Sequence, residues 1–419
     1  MTLIKTSVLT AISTVIQAFS GFVINKVIAI YIGPSGLASV GQLRDFITLI
    51  MSFANLGIAR GIVKYTAEYQ TIEEKQKIFS TSIVVSLFGS LIVSIFLFVF
   101  SEYLSELILK DTQYGSVFIV FGLTIFLFAL NTVLMSILNG QKEIKKYILV
   151  NIASSLFSLI FTSFLIMQLN LIGALYALVV NQSVVFFITL AFILKSHWFK
   201  LEYFKKGLDK KSLVNLSKFS LMALTSALSI PISHMIIRNH IGETISWDAA
   251  GYWQGIWFIS TLYLMVITTS LSTYYTPKLS ELTDKVSIKR EIISGYKIIM
   301  PIVILMSVVI FLMKEYIVLV AFSEEFMPMI ELFKWQLIGD VIKIGTFLLS
   351  TLFVAKAMTK IYVFSEVFFS ISFVLLSIFL IDSYGLIGIT YAYTINYVLY
   401  FIFIFYKLKG FILGTKNHL

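Results

Sequence analysis

About a dozen apolar segments, each roughly 20 residues long and separated by short polar connections, dominate this sequence. An α-helix of that length spans the hydrocarbon core of a bilayer. Of the 419 residues, 58% are hydrophobic and 13% are charged, whereas soluble chains are about 45–50% apolar and about 25% charged. Because no soluble fold could bury this excess, the sequence predicts an all-α membrane protein with about 12 transmembrane helices.

Hydropathy windows of about 19 residues locate the predicted helices. They cover residues 6–32, 38–63, 79–100, 114–138, 147–168, 171–194, 214–240, 249–275, 292–313, 328–354, 361–381 and 385–406. The longest connection, 195–213, is rich in lysine and divides the chain nearly in half. We therefore predict two six-helix lobes, residues 1–205 and residues 206–419.

The two halves repeat each other at a nearly constant offset. Leu171-Ile172-Gly173 recurs as Leu386-Ile387-Gly388, and Asn181 recurs as Asn396. Shared apolar composition would not place Gly and Asn in one register. Repeats with an even number of spans run in the same direction, about an axis along the membrane normal. Two such bundles around a central cavity are typical of a transporter.

Basic residues predict the orientation of the helices. Most of the 32 Lys and Arg residues lie in alternate connections, together with both chain ends. The opposite connections contain Lys110 and Lys314 among several acidic residues. By the positive-inside rule both termini are expected in the cytoplasm. The net charge of +10 then reflects orientation, and we expect no nucleic-acid partner.

Polar residues at helical spacing mark the faces that avoid lipid. In the second predicted helix this stripe consists of Gln42, Asp45, Thr48, Ser52 and Asn55. Similar stripes in the first, seventh and eighth helices predict that two helices from each lobe line a wet cavity. In the third helix, Ser86, Ser90 and Ser94 are small residues at i, i+4 spacing, which favours close helix packing.

Each charged residue at mid-bilayer raises the free energy of helix insertion by about 2.5–3.5 kcal/mol. Charged residues inside the spans therefore indicate a structural or functional role. Lys26, Arg44 and Arg238 belong to the first, second and seventh helices, with Asp45 at a depth similar to Arg44. This surplus of cations favours an anionic ligand, since Arg binds phosphate in bidentate geometry. Arg60, near the cytoplasmic end of its helix, is expected to contact lipid headgroups.

Five further residues have two interpretations that the sequence leaves open. Asp340 and Lys343, at i, i+3, form either a structural ion pair or part of a substrate site. Pro231 kinks the seventh helix as a static bend or as a hinge. Gln254 and Trp257 lie on the polar face of the eighth helix, where they either pack or contact a sugar.

The sequence lacks the motifs of thiol chemistry, metal binding and nucleotide hydrolysis. The chain contains no cysteine, and its four histidines show no metal-ligand spacing. A Walker A glycine loop for nucleotide hydrolysis is also missing. We therefore expect neither an enzyme nor a cofactor.

Several stretches carry a resemblance to a known family. They are Gly33-Pro34-Ser35-Gly36-Leu37, Leu216-Ser217-Lys218-Phe219 with Leu221-Met222-Ala223-Leu224, Ser246-Trp247-Asp248, Gly251-Tyr252-Trp253-Gln254-Gly255, Pro277-Lys278-Leu279-Ser280, and Trp335 to Lys343. With them the chain resembles, nearly end to end, the O-antigen and lipid III (enterobacterial common antigen) flippases. These form part of the polysaccharide-transport branch of the multidrug/oligosaccharidyl-lipid/polysaccharide exporter superfamily.

The resemblance implies a MATE-like pair of lobes in the bacterial inner membrane. It implies alternating access to a cationic cavity and an undecaprenyl-pyrophosphate-linked oligosaccharide as substrate, with membrane lipid and other polysaccharide-assembly proteins as further partners. On this basis the predicted substrate-binding residues are Lys26, Arg44, Asp45, Asn55, Arg238, Gln254, Trp257, Asp340 and Lys343, with Pro231 as hinge. Two alternatives stay open: a cation-coupled multidrug exporter of the same superfamily, and a membrane-embedded polymerase or glycosyltransferase.

The predicted orientation can be tested directly because the natural chain has no cysteine. A cysteine at Lys110 should react with a membrane-impermeant maleimide on intact cells, because this loop is predicted outside. A cysteine at Lys142, the matched lysine on the predicted inner side, should react only after permeabilisation. The reverse pattern would contradict the orientation.

Overall fold

A computed structural model describes residues 3–196, 198–217, 220–356 and 358–412, and these ranges are almost entirely helical. The helices of the first half are α1 (Leu3–Tyr31), α2 (Gly33–Ala54), α3 (Ala59–Glu68), α4 (Ile72–Val99), α5 (Ser101–Leu109), α6 (Gly115–Gly140), α7 (Ile144–Ile193) and α8 (Lys210–Ser217). Those of the second half are α9 (Ser220–Thr244), α10 (Trp247–Ser270), α11 (Thr276–Glu281), α12 (Lys285–Leu312), α13 (Lys314–Ala321), α14 (Phe333–Ala355), α15 (Thr359–Tyr384) and α16 (Gly388–Ile412).

The helices are long and apolar enough for a multi-pass membrane protein. Among the described residues, eight helical stretches could each cross a bilayer, and α2 with α3, bent by 49°, makes a ninth. Two of the eight, Ile144–Ile193 and Thr359–Lys409, have 50 and 51 residues. Each of these is about twice the length of one span and contains a backbone break, so it folds as two spans. With α9 this gives the twelve predicted helices, and the all-α class is confirmed.

The backbone breaks occur at equivalent positions of the repeat. Asn170, inside α7, has φ 51° and ψ −132°. Gly385, between α15 and α16, has φ 66° and ψ −154°. This region of conformational space is almost restricted to glycine, because a Cβ atom clashes there. The recurrence of such an unusual conformation in both halves confirms the internal repeat.

The close approach beside each break is also duplicated. A Cβ atom on Gly173 would lie 2.0 Å from the carbonyl oxygen of Leu165, and one on Gly388 would lie 2.0 Å from that of Leu380. No Cβ tolerates that distance from backbone. The repeated Leu-Ile-Gly sequence therefore has a steric cause: glycine allows the chain to reverse tightly between neighbouring spans.

The second predicted helix is broken, so its prediction as one helix over 38–63 is wrong. α2 ends at Ala54, Leu56 and Gly57 adopt positive φ values of 47° and 66°, and α3 begins at Ala59. Asn55 lies at this break, where its Oδ1 accepts a hydrogen bond of 3.0 Å from the Ser86 hydroxyl of α4. In the second half, the corresponding stretch after α10 is a π-helical turn, Leu271–Tyr275.

Small residues of α4 bring neighbouring helices into close contact. A Cβ atom on Gly89 would lie 2.3 Å from the carbonyl oxygen of Ala54. The Ser94 hydroxyl donates a hydrogen bond of 2.8 Å to the carbonyl oxygen of Gly122 in α6. Ser86 and Ser94 are both buried. The packing interpretation of this serine stripe is confirmed.

The chain divides into two compact units. Unit 1 contains residues up to Ile32 together with Ser39–Ile232, and unit 2 contains Gly33–Ala38 together with the chain from Ser233 onward. In unit 2, the backbone N–H of Ser35 donates a hydrogen bond of 3.1 Å to Oδ1 of Asp248. The boundary inside α9 lies between Ile232 and Ser233, one residue after Pro231. The predicted lobe division after residue 205 stays a prediction.

The lysine-rich connection before α8 belongs to unit 1 and is anchored at the start of α7. Glu143 accepts hydrogen bonds from the Trp198 indole (2.8 Å) and the Ser196 hydroxyl (3.0 Å), and forms a 2.8 Å ion pair with Lys146. Burial raises the pKa of the Glu143 carboxyl. The hydrogen bonds and the Lys146 charge outweigh this effect and hold that pKa below its ordinary value.

The duplicated breaks give a paired stability prediction. Replacing Asn170 with Gly should leave the thermal unfolding midpoint of the detergent-purified protein unchanged or raise it, because Gly relieves the strained conformation. Replacing Gly385 with Asn should lower the midpoint, because backbone strain should reduce the free energy of unfolding by about 1–3 kcal/mol. An equal or larger loss for Asn170→Gly would contradict the assigned conformations.

Candidate substrate-binding residues

A buried carboxylate is the centre of a polar network in unit 2. Asp340 of α14 is completely buried. Its Oδ2 accepts hydrogen bonds from Ser260 (2.7 Å) and Tyr263 (2.9 Å), both on α10. Its Oδ1 accepts one of 2.8 Å from Tyr393 of α16. Three hydroxyl donors from two helices replace the water that a carboxylate loses on burial.

The absence of a side chain at Gly339 allows the hydrogen bond from Tyr393 to Asp340. A Cβ atom on Gly339 would lie 2.4 Å from the ring of Tyr393. Glycine at this position therefore lets the tyrosine ring lie against α14, next to Asp340. The Gly339-Asp340 pair of the family-like stretch thus has a local geometric explanation.

Lys343 lies one turn beyond Asp340 in α14, and aromatic rings surround its ammonium group. The distances from Nζ to the ring centroids are 4.9 Å for Trp257, 5.9 Å for Tyr393 and 5.8 Å for Tyr397. Rings at this distance attract a cation through their electron-rich faces. The possible ion pair of Lys343 with Asp340 is not formed among the described residues, because three hydroxyls and three rings occupy their charged groups instead.

Arg238 extends the same cluster toward α9 and α10. Its side chain is 1% exposed. Its Nη2 donates a hydrogen bond of 2.6 Å to Oε1 of Gln254, and its guanidinium carbon lies 5.7 Å from the centroid of the Trp253 ring. His234 packs between Trp253 and Trp257, at centroid distances of 5.4 and 4.4 Å. The aromatic side chains thus connect Arg238 with Lys343.

A hydroxyl group caps α10, the helix that carries five of the side chains described above. The Ser246 hydroxyl accepts a hydrogen bond of 3.0 Å from the backbone N–H of Ala249, which caps α10. Gln254 and Trp257 follow two and three turns later on the same helix. The structure therefore joins all five predicted residues of unit 2, Arg238, Gln254, Trp257, Asp340 and Lys343.

The predicted residues of unit 1 have different environments. Lys26 of α1 and Asp45 of α2 are half-buried, and Arg44 is exposed. Asn55 is buried against Ser86 at the helix break, which gives it a structural hydrogen bond. Whether the cations of units 1 and 2 converge on one cavity stays a prediction.

Unit 1 also contains a polar cavity of about 650 Å³. Residues of α1, α3, α6 and α7 line it, most of them with uncharged polar side chains. Asn131 of α6 donates a hydrogen bond of 3.2 Å to Gln182 of α7 and accepts one of 2.7 Å from Thr189. Arg60, predicted to contact lipid headgroups, is on the cavity wall.

Most of these partners give no distinctive signal in the sequence. Tyr263, Tyr393 and Tyr397 resemble ordinary interfacial or packing tyrosines in the sequence. The Asn131 and Gln182 amides in the middle of apolar spans were an available signal for the cavity, because unpaired amides in lipid are costly.

A family model described as "Polysaccharide biosynthesis protein" matches residues 3–283 of this chain. The match covers more than half of the sequence. The chain therefore belongs to the polysaccharide biosynthesis protein family.

Individual relatives show a more specific similarity within this family. The chain is 31% identical over 407 residues to proteins named "Lipid III flippase" from Escherichia coli (strain K12) and from Shigella flexneri, and the match covers 96% of this chain and 97% of each relative. The resemblance to this group of flippases is confirmed.

Solved structures support the fold. An inward-facing multidrug resistance MATE family transporter of the MOP superfamily matches with a TM-score of 0.79 at 16% identity, covering 96% of both chains. The lipid II flippase MurJ in an inward closed conformation matches with a TM-score of 0.76 at 17% identity, covering 98% of this chain and 90% of that chain. At such low identity these likenesses show the fold alone, and the predicted two-lobe MATE-like fold is confirmed.

The Asp340 network predicts different effects for two tyrosines of α16. Tyr393→Phe removes one hydroxyl donor from the buried carboxylate and should destabilise the protein by about 1–3 kcal/mol. Tyr391→Phe should change stability by less than about 0.5 kcal/mol. Thermal unfolding of both purified variants measures the difference, and equal effects would contradict the network.

Proposed function

We propose that this protein is a flippase for lipid-linked oligosaccharides of the bacterial inner membrane. Its substrate is an undecaprenyl-pyrophosphate-linked repeat unit of O-antigen or common antigen, which moves from the cytoplasmic to the periplasmic leaflet. The supporting observation is the end-to-end similarity to lipid III flippases, at 31% identity over 96% of the chain. On this proposal the protein is a transporter, not an enzyme, and its termini are cytoplasmic.

The anionic pyrophosphate explains the cations in the spans. Lys26, Arg44 and Arg238 neutralise it in a cavity lined by the predicted first, second, seventh and eighth helices. Bidentate hydrogen bonds from arginine suit phosphate oxygens. The position of Arg238 supports this role, because Gln254 and Trp253 orient a guanidinium group that is far from bulk water.

The remaining predicted residues complete the site. Trp257 stacks on a sugar ring, while Gln254 and Asn55 donate hydrogen bonds to sugar hydroxyls. Asp45, Asp340 and Lys343 adjust the local charge. A ring that already faces a cation, as Trp257 does, offers a flat apolar surface beside a charged group.

Movement of one lobe against the other exposes the headgroup alternately to each side of the membrane. Pro231 is the proposed hinge within α9. Its missing N–H removes one backbone hydrogen bond of the helix, which lowers the cost of bending there. The unit boundary one residue after Pro231 supports this position.

Complementation tests the cationic site. The wild-type gene should restore surface glycan in a flippase-null strain that makes a matching repeat unit. Arg44→Ala and Arg238→Ala, at wild-type membrane abundance, should abolish that glycan because the pyrophosphate loses its counter-charges. Arg290→Ala, which removes an exposed arginine at the start of α12, is the matched control and should complement normally.

Each other result favours a different conclusion. Normal glycan in both cavity variants would overturn the cationic site. Failure of the wild-type gene in strains with several repeat units, together with drug sensitivity after deletion, would favour the multidrug exporter. Altered glycan chain length with normal translocation would favour a polymerase.

A further inference from the structure

The polar cavity of unit 1 contains no residue assigned to the cationic site. Segments of four helices form it: α1 near Ser20, α3 near Arg60, α6 from Asn131 to Asn139, and α7 near Asn151. Its volume of about 650 Å³ lies within the range of small-molecule sites, about 300–1,000 Å³. By the predicted topology these segments extend from the cytoplasmic end of α3 to about the membrane midplane, on the side from which the substrate enters.

Two hydroxyl groups in the wall lack a hydrogen-bond partner within the described part of the chain. The Oγ atoms of Ser20 and Ser154 are both buried, and the Ser20 side chain is 3% exposed. A serine on a helix usually satisfies its hydroxyl at the carbonyl one turn earlier, as Ser155 does with Asn151 at 2.8 Å. A buried hydroxyl without a partner costs about 1–3 kcal/mol. These two groups therefore keep unsatisfied hydrogen-bonding capacity beside the cavity.

The charge of the wall selects among ligands. No aspartate or glutamate belongs to the lining, and Arg60 is its one ionisable group apart from the Tyr147 phenol. Arg60 forms no salt bridge with any described carboxylate. A cationic drug or a metal ion would meet an unpaired positive charge here, and a lipid tail would desolvate amides and hydroxyls without replacing their hydrogen bonds. All three ligands are disfavoured.

A saccharide matches this wall. Amides such as Asn139 and Asn151 and serine hydroxyls offer both donors and acceptors, as sugar hydroxyls require. We propose that the cavity of unit 1 binds the sugar part of the lipid-linked substrate, with Arg60 facing an anionic group of the same molecule. This inference rests on the proposed flippase function and adds a second, glycan-reading site to the cationic one.

Cysteine protection tests the inference, since the natural chain offers no background thiol. Ser154→Cys places a thiol in the cavity wall, and Lys142→Cys provides an exposed control. Permeabilised membranes are labelled with maleimide in the presence of lipid III or of sugar-free undecaprenyl pyrophosphate. Lipid III should slow labelling of Ser154→Cys about tenfold, as expected for occupancy of a site. Sugar-free lipid should leave it unchanged, and neither lipid should protect Lys142→Cys.

A matched pair of cavity variants provides the second readout. Ser154→Leu replaces a cavity hydroxyl with apolar bulk, whereas Ser163→Leu changes a serine of the same helix outside the lining that also has an unpartnered buried hydroxyl. Lipid III affinity of the purified protein should fall about tenfold for Ser154→Leu, or about 1.4 kcal/mol, and about twofold or less for Ser163→Leu. Arg60→Gln should weaken lipid III binding more than Arg60→Lys.

The outcomes separate this inference from the proposed function. Equal protection by both lipids, or none, together with equal affinities for the two leucine variants, would overturn the glycan site. If the wild-type gene still restores surface glycan, the flippase proposal stands without it. Protection by lipid III without complementation in any strain would support the glycan site and contradict the flippase proposal.

Discussion

Inside a bilayer every backbone amide and every buried polar group must find its partner within the protein, because lipid offers no hydrogen bonds. This constraint explains why the chain is almost entirely helical. It also explains why polar side chains such as Asn55 at a helix break and Asp340 in the interior have hydrogen-bond partners. At the break between α2 and α3, Asn55 is held by the Ser86 hydroxyl. At Asp340, three hydroxyl groups replace water.

Cationic side chains inside the spans also need partners, and here aromatic rings and an amide provide them. The ammonium group of Lys343 lies among three aromatic rings, and the Trp253 ring and Gln254 amide contact the guanidinium of Arg238. Such contacts return part of the solvation that a cation loses on leaving water.

Duplication produced one scaffold with two different interiors. The local backbone is nearly the same in each half at the tight reversals, where Asn170 corresponds to Gly385 and Gly173 to Gly388. The side chains have diverged: unit 1 contains the polar cavity, and unit 2 contains the aromatic and cationic cluster around Trp257 and Asp340. Steric limits preserve the turns, while the interior side chains differ between the two units.

The sequence by itself determined the number of spans, the internal repeat and the packing role of the serine stripe in α4. Hydropathy, register and small-residue spacing are properties of one segment, so they can be summed along the chain. Only the tertiary structure decided the break at Leu56 and Gly57, the partners of Asp340 and Lys343, and the cavity beside Arg60. Each of these depends on which faces of distant helices meet, and a helical stripe records that a face avoids lipid without recording what it meets instead.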